Sequence, residues 1–361
     1  MNNSSAALWT NITVTAIGQG AISGNVFVPQ TPEQFSYDAD GNLTNDGRWA
    51  YTWDAENRLA TMTVNTNVGP QYQLTFTYDS KGRRIQKIVS TNSVALYTNK
   101  FIYDGWNLIA ETKPNNSLIR SYVWGTDLSG SAQDAGGVGG LLKVSYYGSV
   151  TTNCFPAYDG NGNVAALVSA ADGTVAANYE YGPFGEVIRA TGPMTKANPF
   201  RFSTKYQDDE SDLLYYGYRY YKPSTGSWLG RDPMGERGGM NVYGFVQNNP
   251  LTQFDPLGLS CQCGCDVTMP LTRTLGNIDA IFWLWDRATA YKACKRIINP
   301  FGGQASHAWD IEELHIGKGP EDCDRTITFN KGCYYKSAAN YSMFGRACAL
   351  CSQRFGVVAD P

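Results

Sequence analysis

The sequence predicts a mainly β protein: an antiparallel sheet of hairpin units curling into part of a shell, followed by a small cysteine-rich α+β module. Three observations carry that expectation. Aromatic residues form 13% of the chain, led by 23 tyrosines, and 38 glycines accompany them, a composition suited to short strands and tight turns. An aromatic followed by aspartate and then Gly or Asn recurs through the first half. Cysteine usage then changes abruptly. Cys154 stands alone before residue 260, whereas Cys261, Cys263, Cys265, Cys294, Cys323, Cys333, Cys348 and Cys351 crowd the remainder.

The repeat comes first in the chain. Tyr37-Asp38-Ala39-Asp40-Gly41-Asn42-Leu43 returns as Trp53-Asp54-Ala55-Glu56-Asn57-Arg58-Leu59, and again from Tyr78-Asp79, Tyr103-Asp104 and Tyr158-Asp159. The aspartate is expected to accept hydrogen bonds from amides two and three residues on, opening a turn. Gly or Asn beyond it tolerates the positive φ that a bulged hairpin loop requires. The flanks alternate: Gln73, Thr75 and Thr77 against Leu74, Phe76 and Tyr78 is the period of a half-buried strand. One such hairpin cannot bury its apolar face alone, so the units must stack on each other. Turns are predicted at 38–41, 79–82 and 159–162, with almost no helix between 35 and 250.

Charge and hydropathy exclude several classes. A net charge of -3 and a pI near 5.5 leave no basic footprint for nucleic acid. No apolar run reaches the roughly 18 residues of a membrane span, and Met1 to Thr10 lacks signal-peptide character. At 361 residues the chain accommodates two or three domains.

With those units in view, residues 35–259 resemble the tyrosine-aspartate repeats of the Rhs and teneurin-like families, whose repeats wind a long sheet into a hollow shell. The most specific stretch is the end. From Asn198 to Leu259 the chain resembles the Rhs repeat-associated core, through Tyr218-Arg219-Tyr220-Tyr221, Gly230-Arg231-Asp232-Pro233 and Asp255-Pro256-Leu257-Gly258-Leu259. The expected divisions are therefore 1–195 for the repeat sheet, 196–259 for the core and 260–361 for a variable tip.

The resemblance implies intramolecular proteolysis. In related toxin-complex shells an aspartyl-type autoprotease cuts after the terminal leucine, which here makes Leu259–Ser260 the scissile bond and Arg219, Asp232 and Asp255 the residues required. The residue types suit the task. Two carboxylates held close cannot both ionise readily, so one can serve as acid and the other as base. Arg219 would separate their roles, or, taken alone, would be a structural cation–π partner among tyrosines. Gly258 allows close backbone approach and Pro256 stiffens the loop. No cofactor is implied for the core. Asp208, Asp209 and Asp212 read as a solvated turn.

The tip is less legible. Helical spacing of Ile281, Leu284, Trp285, Ala288 and Tyr291 predicts a helix within 280–298, with further helices near 309–314 and 341–351 and short strands around 326–329. Cys348 and Cys351 have CxxC spacing, which fits zinc, a redox pair or disulfides. His307 and His315 are further candidate ligands or bases, although Glu312-Glu313-Leu314-His315 is not the zinc-protease motif. The segment also resembles a cysteine-rich C-terminal module of bacterial Rhs-type proteins, which implies no particular activity.

Three functions follow. The chain is a toxin-delivery polypeptide whose core frees its own C-terminal module as cargo, working with a secretion or toxin-complex apparatus and acting as a secreted or cell-surface protein. Alternatively it is a structural or adhesion-type surface protein with a partner-binding tip. Lastly, it is an inactive piece of a larger protein, since so few repeats are expected to be short of a full enclosure.

Overall fold

The computed structural model describes residues 3–15, 17–18 and 20–259, together with the strands Thr326–Phe329 and Gly332–Tyr335. Two compact units divide the chain, Met1–Ser260 and Cys261–Pro361.

In the first unit, fourteen strands from Ser36–Tyr37 to Val187–Thr191 form one sheet, and each pairs antiparallel with its neighbours in sequence. The predicted hairpin meander is what the chain builds. A separate two-stranded hairpin, Leu8–Val14 with Ile22–Val28, precedes it.

Each turn closes as its residues dictate, with one correction. Gly41, Gly82 and Gly162 donate their amides to the carbonyls of Asp38, Asp79 and Asp159 at 3.1, 3.0 and 3.2 Å. That bond consumes the third amide, so the carboxylate takes the second and fourth rather than the second and third. Asp79 Oδ1 accepts from Lys81 and Arg83, both at 2.9 Å, and Asp159 Oδ1 accepts from Asn161 and Asn163. Gly82 adopts φ +79°, a conformation that costs a side chain dearly.

The aromatic has a second function that explains why it is Tyr or Trp. Ladder register slips beside Trp53, Tyr78, Trp124, Tyr158 and Tyr181. Each ring then donates its polar tip to a carbonyl of the preceding hairpin. Tyr78 Oη donates to Leu59 O at 2.8 Å, Tyr103 to Arg84 O at 3.0 Å and Tyr181 to Val164 O at 2.7 Å. Trp53 and Trp124 use Nε1 toward Leu43 O and Leu108 O, and Tyr158 reaches Leu141 O. Phenylalanine could fill the space but not satisfy those carbonyls. Trp124 and Tyr181 extend the repeat to units where Gly replaces Asp, so the aromatic-Asp pattern does not mark them.

Alternation puts Leu59, Met62, Leu74, Phe76, Val89, Phe101, Tyr122, Val144 and Leu167 on one face, all buried. Against it packs the core module, a four-stranded sheet of Tyr206–Gln207, Leu214–Tyr215, Tyr220–Lys222 and Ser227–Trp228. Phe200, Tyr206, Tyr215 and Tyr220 join the core of the wall itself. A second cluster, Phe202, Leu214, Tyr216, Tyr221, Trp228, Phe245 and Val246, lies within the module. The long sheet thus buries its face against residues that follow it in the chain.

Asp208 is not part of a solvated turn. Its side chain is 1% exposed and ion-paired with Arg84 at 2.5 Å and Lys87 at 2.8 Å from the wall. Asp209 and Asp212 do lie exposed in that turn. In the second unit, Thr326–Phe329 pairs antiparallel with Gly332–Tyr335, where short strands were predicted. The expected helices, the cysteine pairs, Cys348, Cys351, His307, His315 and Ser260 lie outside the described residues.

Candidate active site

Three segments of the core module converge. Arg219 ends the tight turn after Leu214–Tyr215, where Gly217 takes φ +97° and Tyr216 N donates to Arg219 O at 3.0 Å. Asp232 follows strand Ser227–Trp228. Its amide is held by Val242 O at 2.9 Å, its carbonyl receives Gly235 N at 2.8 Å and its Oδ1 receives Met234 N at 2.8 Å. Pro233 presets the turn that this Asp caps.

The third segment, residues 255–259, is wrapped around Asp255. Its Oδ1 accepts the amides of Leu257, Gly258 and Leu259 at 3.2, 2.8 and 3.0 Å. Gly258 reaches φ +77°, and an added Cβ would stand 3.2 Å from Arg219 and Tyr216.

Arg219 joins the two aspartates. Its Nη2 lies 2.8 Å from Asp232 Oδ2 and 3.4 Å from Asp255 Oδ2, with all three side chains almost wholly buried. The guanidinium also stacks 4.1 Å from the Trp228 ring centroid, so the cation–π role and the ion-pair role coexist. Burial pushes the Arg219 guanidinium below its ordinary value, against the upward pull of Asp255 and then Asp232.

The carbonyls leading to Leu259 are held one after another. Pro256 O accepts from Lys205 Nζ at 2.6 Å, Leu257 O from Tyr218 N at 3.1 Å and Gly258 O from Arg219 Nε. The next carbonyl is that of Leu259. Sequence reasoning named Arg219, Asp232, Asp255 and Leu259, and the fold brings all four together. Lys205 was missed. Its signal was a lone lysine amid the aromatic run Phe200-Arg201-Phe202-Ser203-Thr204-Lys205-Tyr206, where a charge has little reason to be buried.

Beside Arg219 and Asp232 opens a cavity of about 790 Å³, lined also by Asp40, Arg58 and Lys81 from the repeat turns and by Arg231 of the core. Among the described residues no group of His, Cys, Asp and Glu is placed to hold a metal.

No protein-family model matches the chain. Similar proteins exist all the same. The tRNA3(Ser)-specific nuclease WapA of Bacillus spizizenii is 35% identical over 231 residues, which cover 63% of this chain and 9% of that protein. Toxin subunit YenC2 of Yersinia entomophaga is 42% identical over 92 residues, 25% of this chain and 9% of that protein. Among solved structures, the Photorhabdus luminescens Tc holotoxin pore with a substituted TccC3 matches with TM-score 0.50 and 23% identity, covering 63% of this chain and 11% of that one. That last likeness is one of fold. The first unit is thus similar to proteins of the Rhs and toxin-complex type. The chain spans 9% of the length of these two curated relatives.

Proposed function

We propose that this chain acts as an Rhs-type toxin-delivery polypeptide whose core cuts its own Leu259–Ser260 bond and frees residues 260–361. The observation that carries the reading is the consecutive grip on Pro256, Leu257 and Gly258, which delivers Leu259 beside two buried carboxylates bridged by one arginine. In this mechanism one carboxylate of the Asp232–Asp255 pair takes a proton from water, and the water oxygen bonds to the Leu259 carbonyl carbon. The protonated partner gives its proton to the Ser260 nitrogen as the C–N bond breaks. The products are a Leu259 carboxylate and a Ser260 amine. Because the bond is tethered and held, proximity supplies much of the rate, and a single turnover suffices.

The nuclease and toxin descriptions of the relatives favour an effector role for the released tip and a toxin-complex or secretion apparatus as partner, with delivery outside the producing cell. No helix among the described residues is long and apolar enough to cross a membrane.

Mass spectrometry of the purified chain tests the core of this. The expected product begins at Ser260. Asp232→Asn should leave the full-length chain intact, whereas Ser260→Ala should cut nearly as before. Arrest by Ser260→Ala would point instead to an N-to-O acyl shift. New termini at Pro233 or Pro256 would mean simple Asp-Pro acid lability. Undiminished cutting by Asp232→Asn sinks the dyad.

A further inference from the structure

We infer that Lys205, seated against Gly136 of the wall loop 125–140, is a positioning residue for this self-cleavage, holding residues 255–259 in register with Arg219 and Asp232. The inference rests on the proposed function above and adds a wall-borne requirement to it. Lys205 is 5% exposed, and its Nζ donates to two carbonyls at once, Gly136 O at 2.7 Å and Pro256 O at 2.6 Å. The Tyr216 ring lies 5.3 Å away. One ammonium therefore ties the cleavage segment to the loop that joins strands Leu118–Trp124 and Leu141–Tyr147 of the repeat sheet.

The loop that receives it is stiffened from within. Asp127 Oδ2 accepts the amides of Ala135 and Gly137 at 2.8 and 3.1 Å, either side of Gly136. Gly139 N donates to the hydroxyl of Thr204, the residue before Lys205, at 2.9 Å. Gly136 adopts φ +61°, and a Cβ there would stand 1.9 Å from Pro256 O. Backbone meets backbone at this point, with no room for a side chain.

Burying an ammonium is costly, and a neutral or apolar side chain would hold two packed loops at lower cost. Burial pushes Lys205 down to about 8, against the pull of Asp255 and Asp127. Of the three donors on the carbonyls of Pro256, Leu257 and Gly258, Lys205 alone titrates near neutral pH. The charged groups facing it are Asp255 from the cleavage segment and Asp127 from the wall loop, with the Tyr216 phenol, itself raised by burial, from the core sheet. Loss of the Lys205 proton removes the charge that strengthens both of its hydrogen bonds. Cleavage should therefore weaken on the alkaline side of about pH 8. Stability moves the other way. A lysine depressed in the folded state contributes stability that is fully present above its unfolded value near 10.4 and is lost as pH falls through the folded value. An alkaline loss of cutting is thus not this group unfolding the chain.

The full 361-residue chain, purified in urea and refolded into buffers between about pH 6 and 9.5, reads this out as the rate of appearance of the Ser260 fragment. The unsubstituted chain should show an alkaline limb near pH 8. Lys205→Met should slow cutting by roughly a hundredfold at neutral pH and flatten that limb, with circular dichroism unchanged. Gly136→Ala should slow cutting while keeping the limb. If Lys205→Met cuts at the original rate with the limb intact while Asp232→Asn stays inert, the Lys205 role is wrong and the dyad stands. If Asp232→Asn cuts normally, or the unsubstituted chain never cuts, both readings fall. Should Lys205→Met not refold, the profile of the unsubstituted chain decides, and a flat response through pH 8 overturns the inference.

Discussion

The wall and the core module use the same residue types under opposite rules. In the wall, Asp79 finds Lys81 and Arg83 within four residues and its side chain stays partly exposed. In the core, Asp208 pairs with Arg84, 124 residues away in sequence, and neither touches solvent. Arg84 is further enclosed by the rings of Phe76, Phe101, Tyr206, Tyr215 and Tyr220, at 4.7 to 5.8 Å. Local satisfaction makes a repeat that can be added or removed without consulting the rest of the chain. Long-range satisfaction makes a junction that exists only when wall and core are both in place, and the candidate active site is built on the second kind.

That contrast can be broken most directly at the junction. Arg84→Met leaves Asp208 buried with Lys87 as its remaining cation, and removing one member of a buried pair typically costs about 3–5 kcal/mol. The wall counterpart, Arg58→Ala, removes the more exposed pair with Asp54 at 2.8 Å and should cost less than about 1 kcal/mol. Urea unfolding of the two variants side by side measures the difference, and equal losses would mean that wall and junction ion pairs contribute alike.

A smaller effect is expected within the wall. Tyr181→Phe and Tyr78→Phe each remove one hydroxyl donor from a carbonyl of the previous hairpin, and Tyr78→Phe also gives up the 3.0 Å contact with the Tyr220 hydroxyl of the core. Each should cost about 1 kcal/mol, and the double variant close to the sum, because the two units do not touch. Strong non-additivity in the urea midpoints would show that the repeats communicate.

The smallest effect concerns acid. Burial alone would raise Asp79, but the hydrogen bonds from the Arg83 side chain and amide, then the Lys81 amide, outweigh it and lower the carboxyl. Asp54 is lowered in the same way, through the Arg58 amide and side chain against its own burial. A depressed carboxyl contributes stability above its unfolded value of about 3.9, and that contribution is lost as pH falls through the folded value. Thermal melts of Asp79→Asn should accordingly lose part of the acid sensitivity expected below about pH 4 in the unsubstituted chain. An unchanged acid limb would assign that sensitivity to the buried carboxylates instead.

What the sequence determined alone is the part whose physics is local. An aspartate that opens a turn, a glycine at positive φ and a strand of period two need no distant partner, so the hairpins that begin at Tyr37, Trp53, Tyr78, Tyr103 and Tyr158 were legible as residue patterns, while the fourth amide taken by the aspartate and the units at Trp124 and Tyr181 were not. Arg219, Asp232 and Asp255 were legible through resemblance, because their blocks are distinctive even though nothing in their spacing shows that they meet. Tertiary structure decided the rest. Asp208 looks like its exposed neighbours Asp209 and Asp212 until the wall supplies Arg84 and Lys87, and Lys205 looks like any surface lysine until Gly136 and Pro256 close over it. Burial and charge pairing depend on what residues 51 to 124 positions away bring to the spot, and a one-dimensional pattern carries no record of that.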